Sequence, residues 1–245
     1  KITEHSDRVV QLGNDRLLPA AAIFGANASG KSNVIEAFRF MTTYVEDSFS
    51  YGGESENRRS KNNMPYYSPF LFDNNSKGSE STFEVYFTTS RESGCKSYNY
   101  GFSLNKNGVS EEWLNSKAKT AREYRTIFYR NDKELDISGL PKKSQDNIRV
   151  ALEKETLIVS LGAKLKVAKL KMIRDWFSNV NFTNFGDPFE NAIRSRLIPV
   201  GFADDELVRK KVIDYFASFD PSIIGFKVRK LKDDDKDEHM EIDAI

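Results

Sequence analysis

Eight residues, Gly25-Ala26-Asn27-Ala28-Ser29-Gly30-Lys31-Ser32, fit the pattern G-x-x-x-x-G-K-[ST], whose chemistry is the holding of a polyphosphate. Glycines at both ends of such a loop let backbone N–H groups close around phosphate oxygens, while a lysine ammonium reaches the outer phosphates and a hydroxyl ligates Mg2+. A helix starting at the same place adds the positive end of its dipole. The candidate cofactor-binding residues are therefore Gly25, Ala26, Asn27, Ala28, Ser29, Gly30, Lys31, Ser32 and Asn33. Lys31 is expected on the β- and γ-phosphates, Ser32 on Mg2+, and the amides from Asn27 to Ser32 around the phosphate oxygens. The sequence has no N-K-x-D motif for reading guanine, which favours ATP over GTP.

Two flanking elements must position these groups. Leu17, Leu18, Ala20, Ala21, Ala22, Ile23 and Phe24 form a nearly continuous apolar run, as expected of a strand buried on both faces of a parallel sheet, with Pro19 near its start. After the loop, Val34, Ala37, Phe38, Met41 and Val45 recur at three- and four-residue spacing, which predicts one apolar face of a helix beginning near Lys31. Strand, glycine loop and helix thus follow in the order that phosphate binding requires. The alternative is an ordinary strand-to-helix turn carrying an incidental lysine.

The stretch Ile23 to Ala37, IFGANASGKSNVIEA, resembles the nucleotide-binding loop of ABC-type ATPases of the SMC and RecF kind. Its form GANASGKSN is most similar to that of the AAA-type, ABC-like ATPases of bacterial anti-phage (abortive-infection) defence systems. Only the loop is specific; weaker likeness of order and spacing runs through Pro69 to Asp73, Phe83 to Phe87, Tyr98 to Leu104 and Glu111-Glu112-Trp113. Ala28 departs from the wider SMC-type pattern, which carries glycine there. The resemblance implies an α/β P-loop NTPase of ABC/SMC-like type, with an antiparallel β meander and a helical subdomain, that uses ATP and Mg2+. It further implies a homo-oligomer in which ATP is sandwiched between two subunits, and an effector partner such as a nuclease or toxin.

An ABC-like hydrolase also needs an apolar strand ending in an acidic pair that holds Mg2+ and polarises water. Leu197 to Ala203 followed by Asp204, Asp205 and Glu206 mimics it, but Pro199 and Gly201 make a poor central strand. Those acids are better placed to cap the next helix. Ser160-Leu161-Gly162 faintly resembles the S-x-G core of an ABC signature. In the resembling family both motifs lie beyond the end of this chain, so the expectation is an N-terminal part of such an ATPase, and no catalytic residue is assigned. Lys1 is not an initiator residue, in keeping with a fragment.

Along the chain, one ATPase domain over 1–245 divides into a phosphate-loop strand and helix (1–47), a mobile insertion rich in Ser, Asn, Gly and Tyr (48–80), an antiparallel meander (81–136), a helical region (144–221) and a β hairpin (222–245). Alternation at Phe83, Val85 and Phe87 and at Tyr98, Tyr100, Phe102 and Leu104 predicts two strands joined through Glu92-Ser93-Gly94. Asn107-Gly108 is a hairpin signal, and a strand from Tyr124 to Tyr129 turns at Asn131-Asp132. Helical patterning begins near Ser144, continues over Leu165 to Val180, and returns over Asp205 to Phe219 with Leu207, Val208, Val212, Ile213 and Phe216 inward and Pro221 as the stop. Strand pattern resumes at Ile224 to Leu231 and Glu241 to Ile245, across the charged run Lys232 to Glu238. No heptad run appears, which argues against the long arms of SMC proteins.

A formal net charge of +1 neither demands nor excludes nucleic acid. Two basic stretches, Lys117, Lys119, Arg122, Arg125 and Arg130, and Lys164, Lys166, Lys169, Lys171 and Arg174, could track a phosphate backbone. The plainer reading makes the first a strand with a solvated face and the second the polar side of a helix carrying Val167, Leu170, Ile173 and Phe177. Cys95 is the single cysteine, so no internal disulfide forms and a reducing cytoplasm is expected. It reads as a surface thiol rather than a nucleophile. No apolar run reaches the length of a membrane span, so no membrane partner is expected. Three functions stay open: a defence ATPase that senses an invader and releases or activates an effector, a RecF-like repair ATPase that clamps nucleic acid, and a nucleotide-gated scaffold without hydrolysis.

Overall fold

The computed structural model describes residues 9–12, 15–18, 20–51, 79–89, 96–184, 186–189, 201, 202, 204–222, 224–232 and 238–244. The chain forms two compact units, Lys1–Asn181 and Phe182–Ile245. The centre of the first is a five-stranded antiparallel sheet in the order β3-β4-β5-β6-β7, comprising β3 Ser81–Thr88, β4 Lys96–Asn105, β5 Gly108–Ala118, β6 Arg125–Asn131 and β7 Leu135–Asp136. Alternation decides which face is which. Phe83, Val85 and Phe87 lie opposite Phe102, Tyr100 and Tyr98 in register, so one face of the sheet is a wall of rings. The β4–β5 hairpin turns at Lys106 and Asn107, and Gly108 follows with φ 114°. A side chain at Gly108 would also meet the Lys154 carbonyl oxygen at 2.8 Å.

Helices cover that aromatic face. In α1, Lys31–Asp47, Tyr44 stacks on Phe102 with centroids 5.5 Å apart and Phe40 on Phe83 at 5.1 Å. α2 (Lys142–Ala151), α3 (Ile158–Lys164) and α4 (Ala168–Ser178) follow the sheet. Val167, Leu170, Ile173 and Phe177 are buried, while Trp176 stacks on Phe87 at 4.1 Å. The antiparallel meander and the helical cover are both legible in the sequence pattern; α3 is not, because its six residues from Ile158 to Ala163 are all buried and carry no amphipathic period.

Inside this core sits one ion pair. Glu112 and Arg130 are cross-strand partners on the inner face, with Glu112 fully buried and Arg130 8% exposed. Glu112 accepts from Tyr100 Oη at 3.1 Å and from the Ile158 and Val159 amides at 2.7 and 3.2 Å. Arg130 Nε lies 3.1 Å from Glu112 but off the line of its N–H, an ion pair rather than a hydrogen bond. Its Nη2 donates to the Thr156 carbonyl at 2.5 Å. Burial pushes the Glu112 carboxyl above its usual range, and Arg130 and the two amides oppose that shift.

Several expectations need correcting. The expected inner strand is not found among the described residues past Leu17: Leu18 and Ala20 to Phe24 are not in a strand. Strand β2 is only Asp15–Leu17, paired antiparallel with β1, Val10–Leu12. Leu18, Ile23 and Phe24 are 56%, 54% and 90% exposed, because among the described residues no strand lies alongside residues 20–24 to pair their backbone or cover their side chains. Ser160-Leu161-Gly162 is not a presented signature: Ser160 is fully buried, and Leu170 packs against Gly162 so closely that a Cβ would collide with it. Arg130 leaves the first basic stretch, since its charge is spent on Glu112 in the core. Arg174 is half-buried and donates from Nε to the Glu46 carbonyl at 3.1 Å.

In the second unit, α5 (Glu206–Ala217) is capped by Asp205, whose Oδ1 accepts from the Leu207 and Val208 amides at 2.8 and 3.3 Å. Asp205 therefore serves as the cap and Glu206 lies in the first turn, as their positions suggest. The helix face expected inward is not sealed: none of its residues is buried, Leu207 is 72% exposed and Phe216 44%. Strands β8, Phe226–Lys232, and β9, Glu238–Ala244, form an antiparallel pair, tighter than expected because β9 starts three residues earlier. Glu92-Ser93-Gly94, Cys95, Pro69 to Asp73 and Leu197 to Val200 lie outside the described residues, as does most of the 48–80 insertion.

Replacing one partner of the buried pair leaves the other charge stranded. Glu112→Ala is expected to cost about 3–5 kcal/mol of stability, whereas Asp175→Ala, which breaks the exposed ion pair with Lys171, should cost less than about 1 kcal/mol. Urea unfolding midpoints of the two variants against the parent measure the contrast, and equal shifts would contradict it.

Candidate phosphate-binding loop

The loop is built by two left-handed residues and a helix end. Ser29 N donates to the Ala26 carbonyl at 3.2 Å, closing a turn over Asn27 and Ala28. Ala28 has φ 63°, a conformation that costs an L-residue about 1–2 kcal/mol. Gly30 is the N-cap of α1 with φ 85° and ψ 11°, in the same region, where glycine has no Cβ to penalise. An ideal Cβ at Gly30 meets nothing within 4 Å, so backbone conformation rather than crowding selects glycine there. At Gly25 a Cβ would lie 2.6 Å from Ser29 Oγ, a contact that rotation of the exposed Ser29 hydroxyl relieves, so crowding does not demand glycine there.

Because Gly30 has no side chain, the start of α1 has no side-chain cap, and no acidic residue sits in its first turn. Its leading N–H groups are therefore unpaired within the helix and carry the positive end of the dipole. They face a cavity of about 220 Å3 lined by Ala28, Ser29, Gly30, Lys31, Ser32 and Asn33, with no carboxylate among its walls. Lys31 Nζ donates to the Gly25 carbonyl at 2.8 Å and to the Ala26 carbonyl at 2.6 Å. This pins the ammonium across the mouth of the loop with one N–H to spare. Ser32 and Asn33 are exposed beside it.

The residues from Gly25 to Asn33 thus bring together unpaired helix-start amides, a tethered ammonium and an exposed hydroxyl with no carboxylate in the cavity wall, an arrangement able to receive an anion. Among the described residues no group of three or more His, Cys, Asp or Glu gathers into a metal cage. The sequence conceals the Lys31 tether, since its acceptors are main-chain carbonyls, which no residue type announces. Among the described residues no helix is long and apolar enough to cross a membrane.

The sequence model of one protein family, described as "AAA domain, putative AbiEii toxin, Type IV TA system", matches residues 20–214, from the apolar run before the loop to the end region of α5. No curated protein and no solved structure matches the chain.

Loop geometry makes opposite demands at its two left-handed positions. Gly30→Ala should lose about 1–2 kcal/mol to backbone strain, while Ala28→Gly should be neutral or stabilising by up to about 1 kcal/mol, relief of strain being offset by the freer unfolded chain. Thermal unfolding of both variants checks this, and a clear loss in Ala28→Gly would contradict the conformation described.

Proposed function

The chain belongs to this AAA-domain family of P-loop ATPases, and from that premise we propose that it is the ATP-binding part of a defence-type, ABC/SMC-like ATPase coupling ATP binding and hydrolysis to the release or activation of an effector. The observation that carries the nucleotide reading is the uncapped start of α1 opening onto the Lys31-tethered cavity. In this reading the amides from Asn27 to Ser32, apart from that of Ser29, which already bonds the Ala26 carbonyl, would cradle the phosphates, Lys31 would hold the β- and γ-phosphates, and Ser32 would ligate Mg2+. A magnesium ion takes few protein ligands and completes its shell with water and phosphate oxygens, so one hydroxyl fits that role. Polarisation of the attacking water is left to an acidic group outside the loop.

A second subunit is part of the proposal. Support comes from the uncovered apolar residues on both sides of the loop in sequence, Ile23 and Phe24 before it and Val34 and Ile35 after it, exposed by 54%, 90%, 52% and 46%. Exposed apolar surface of this kind is typical of an interface still to be covered. The defence reading is favoured over a RecF-like clamp because each basic stretch commits an arginine within the fold, Arg130 to the buried Glu112 and the half-buried Arg174, through Nε, to the Glu46 carbonyl. What remains is a weaker electrostatic track for a nucleic acid backbone.

Lys31→Ala removes two charge-assisted contacts to phosphate, each worth about 1.5–3 kcal/mol, and is expected to weaken Mg-ATP at least 100-fold by titration calorimetry. Ser32→Ala should retain ATP binding and lose its enhancement by Mg2+. Parent-like affinity in Lys31→Ala would remove the basis of the proposal.

A further inference from the structure

The phosphate cradle is held from the wrong end of its helix. Among the described residues the first half of α1 has no cover, residues 32–37 all being exposed, and ring packing begins only at Phe38, against Trp176 and Phe177. The far end is different. The last turn of a helix leaves carbonyls without intrahelical donors, and here they are taken up by other elements. The Glu46 carbonyl accepts from Arg174 Nε at 3.1 Å and from Ser160 Oγ at 3.4 Å. Ser160 Oγ in turn accepts from the Phe49 amide at 3.0 Å. The Ser48 carbonyl accepts from Thr156 Oγ1 and the Ser48 hydroxyl from the Leu157 amide, both at 3.1 Å. Tyr44 Oη donates to the Glu155 carbonyl at 2.8 Å.

These contacts do what ring packing cannot. Stacked aromatic faces are adhesive but tolerate sliding and rotation, whereas hydrogen bonds lose strength steeply off their preferred line. Arg174 also places a cation at the negative end of the α1 dipole, with its guanidinium 5.8 Å and the Lys164 ammonium 4.8 Å from the centre of the Phe49 ring. The anchoring segment is itself immobilised, because Glu112 holds the Ile158 and Val159 amides and Arg130 holds the Thr156 carbonyl. Seventeen residues of helix span about 25 Å. A tilt of roughly 2–3° about the anchored end therefore moves the first turn by about 1 Å, a displacement that matters in a preorganised site.

We propose that Arg174 and Ser160 are positioning residues for the phosphate-binding loop, setting from the C-terminal end of α1 where the amides and Lys31 stand at its N-terminal end. This rests on the phosphate-binding reading of the loop, and the test separates the two. Arg174→Met keeps the aliphatic stem and removes the donor and the charge; Arg174→Lys restores a donor and a charge. Mg-ATP affinity is measured by calorimetry well below the unfolding temperature, together with amide hydrogen exchange over residues 25–33 in nucleotide-free protein. Arg174→Met should bind Mg-ATP about tenfold more weakly and exchange faster in the loop, with Arg174→Lys returning both towards the parent. Ser160→Ala is the second variant should Arg174→Met fail to fold, and it should shift both readouts the same way. Parent-like affinity and parent-like loop exchange in a folded variant would overturn the positioning role. A parent protein that binds no nucleotide would overturn the phosphate reading instead, leaving loop exchange to decide the mechanical claim.

Discussion

Glu112 carries its carboxylate into a core of aromatic rings, and a charge there is tolerable only while its partners stay in place. Arg130 compensates it, Tyr100 and the amides of Ile158 and Val159 bond it. The four partners come from three stretches: β6, β4 and the start of α3. Satisfying one carboxylate thus fixes three elements against one another, and the cost of stranding it, several kcal/mol, rivals the net stability of a domain. Apolar packing alone could hold sheet and helices together, but it would specify their register far less sharply.

From that node the architecture reaches the loop through a single rod. Thr156, Leu157 and Ser160, held in position beside Glu112, grip Ser48 and Phe49 just past the end of α1, and α1 presents its other end as a set of unpaired amides. Glycine at the N-cap suits the left-handed backbone there and leaves those amides without a side-chain cap. The left-handed backbone at Ala28 and Gly30 turns the loop so that the Gly25 and Ala26 carbonyls face Lys31. Such local backbone strain is common at ligand clamps.

The apolar run before the loop shows how composition and environment part company. Ala20 to Phe24 has the composition of a strand covered on both faces, yet it stands uncovered among the described residues. Burial is a relation between segments, so a run of apolar side chains states a need and not its fulfilment. The same holds on α5, where Leu207 and Phe216 recur at helical spacing but remain exposed.

From the sequence by itself came the loop, the helix after it, the alternating strands of the meander and the apolar stripe of α4, because each is set by spacing within a few consecutive residues: two glycines and a lysine, or rings at every second position. Tertiary structure alone decided that Arg130 is buried and Arg174 bonded to a helix-end carbonyl, that Ser160 is a buried clasp, that the segment before the loop lacks a neighbouring strand among the described residues, and that Lys31 is tethered to carbonyls. Those outcomes depend on main-chain acceptors and on partners far away along the chain, such as Glu46 for Arg174, and neither is encoded in the type or local spacing of a side chain.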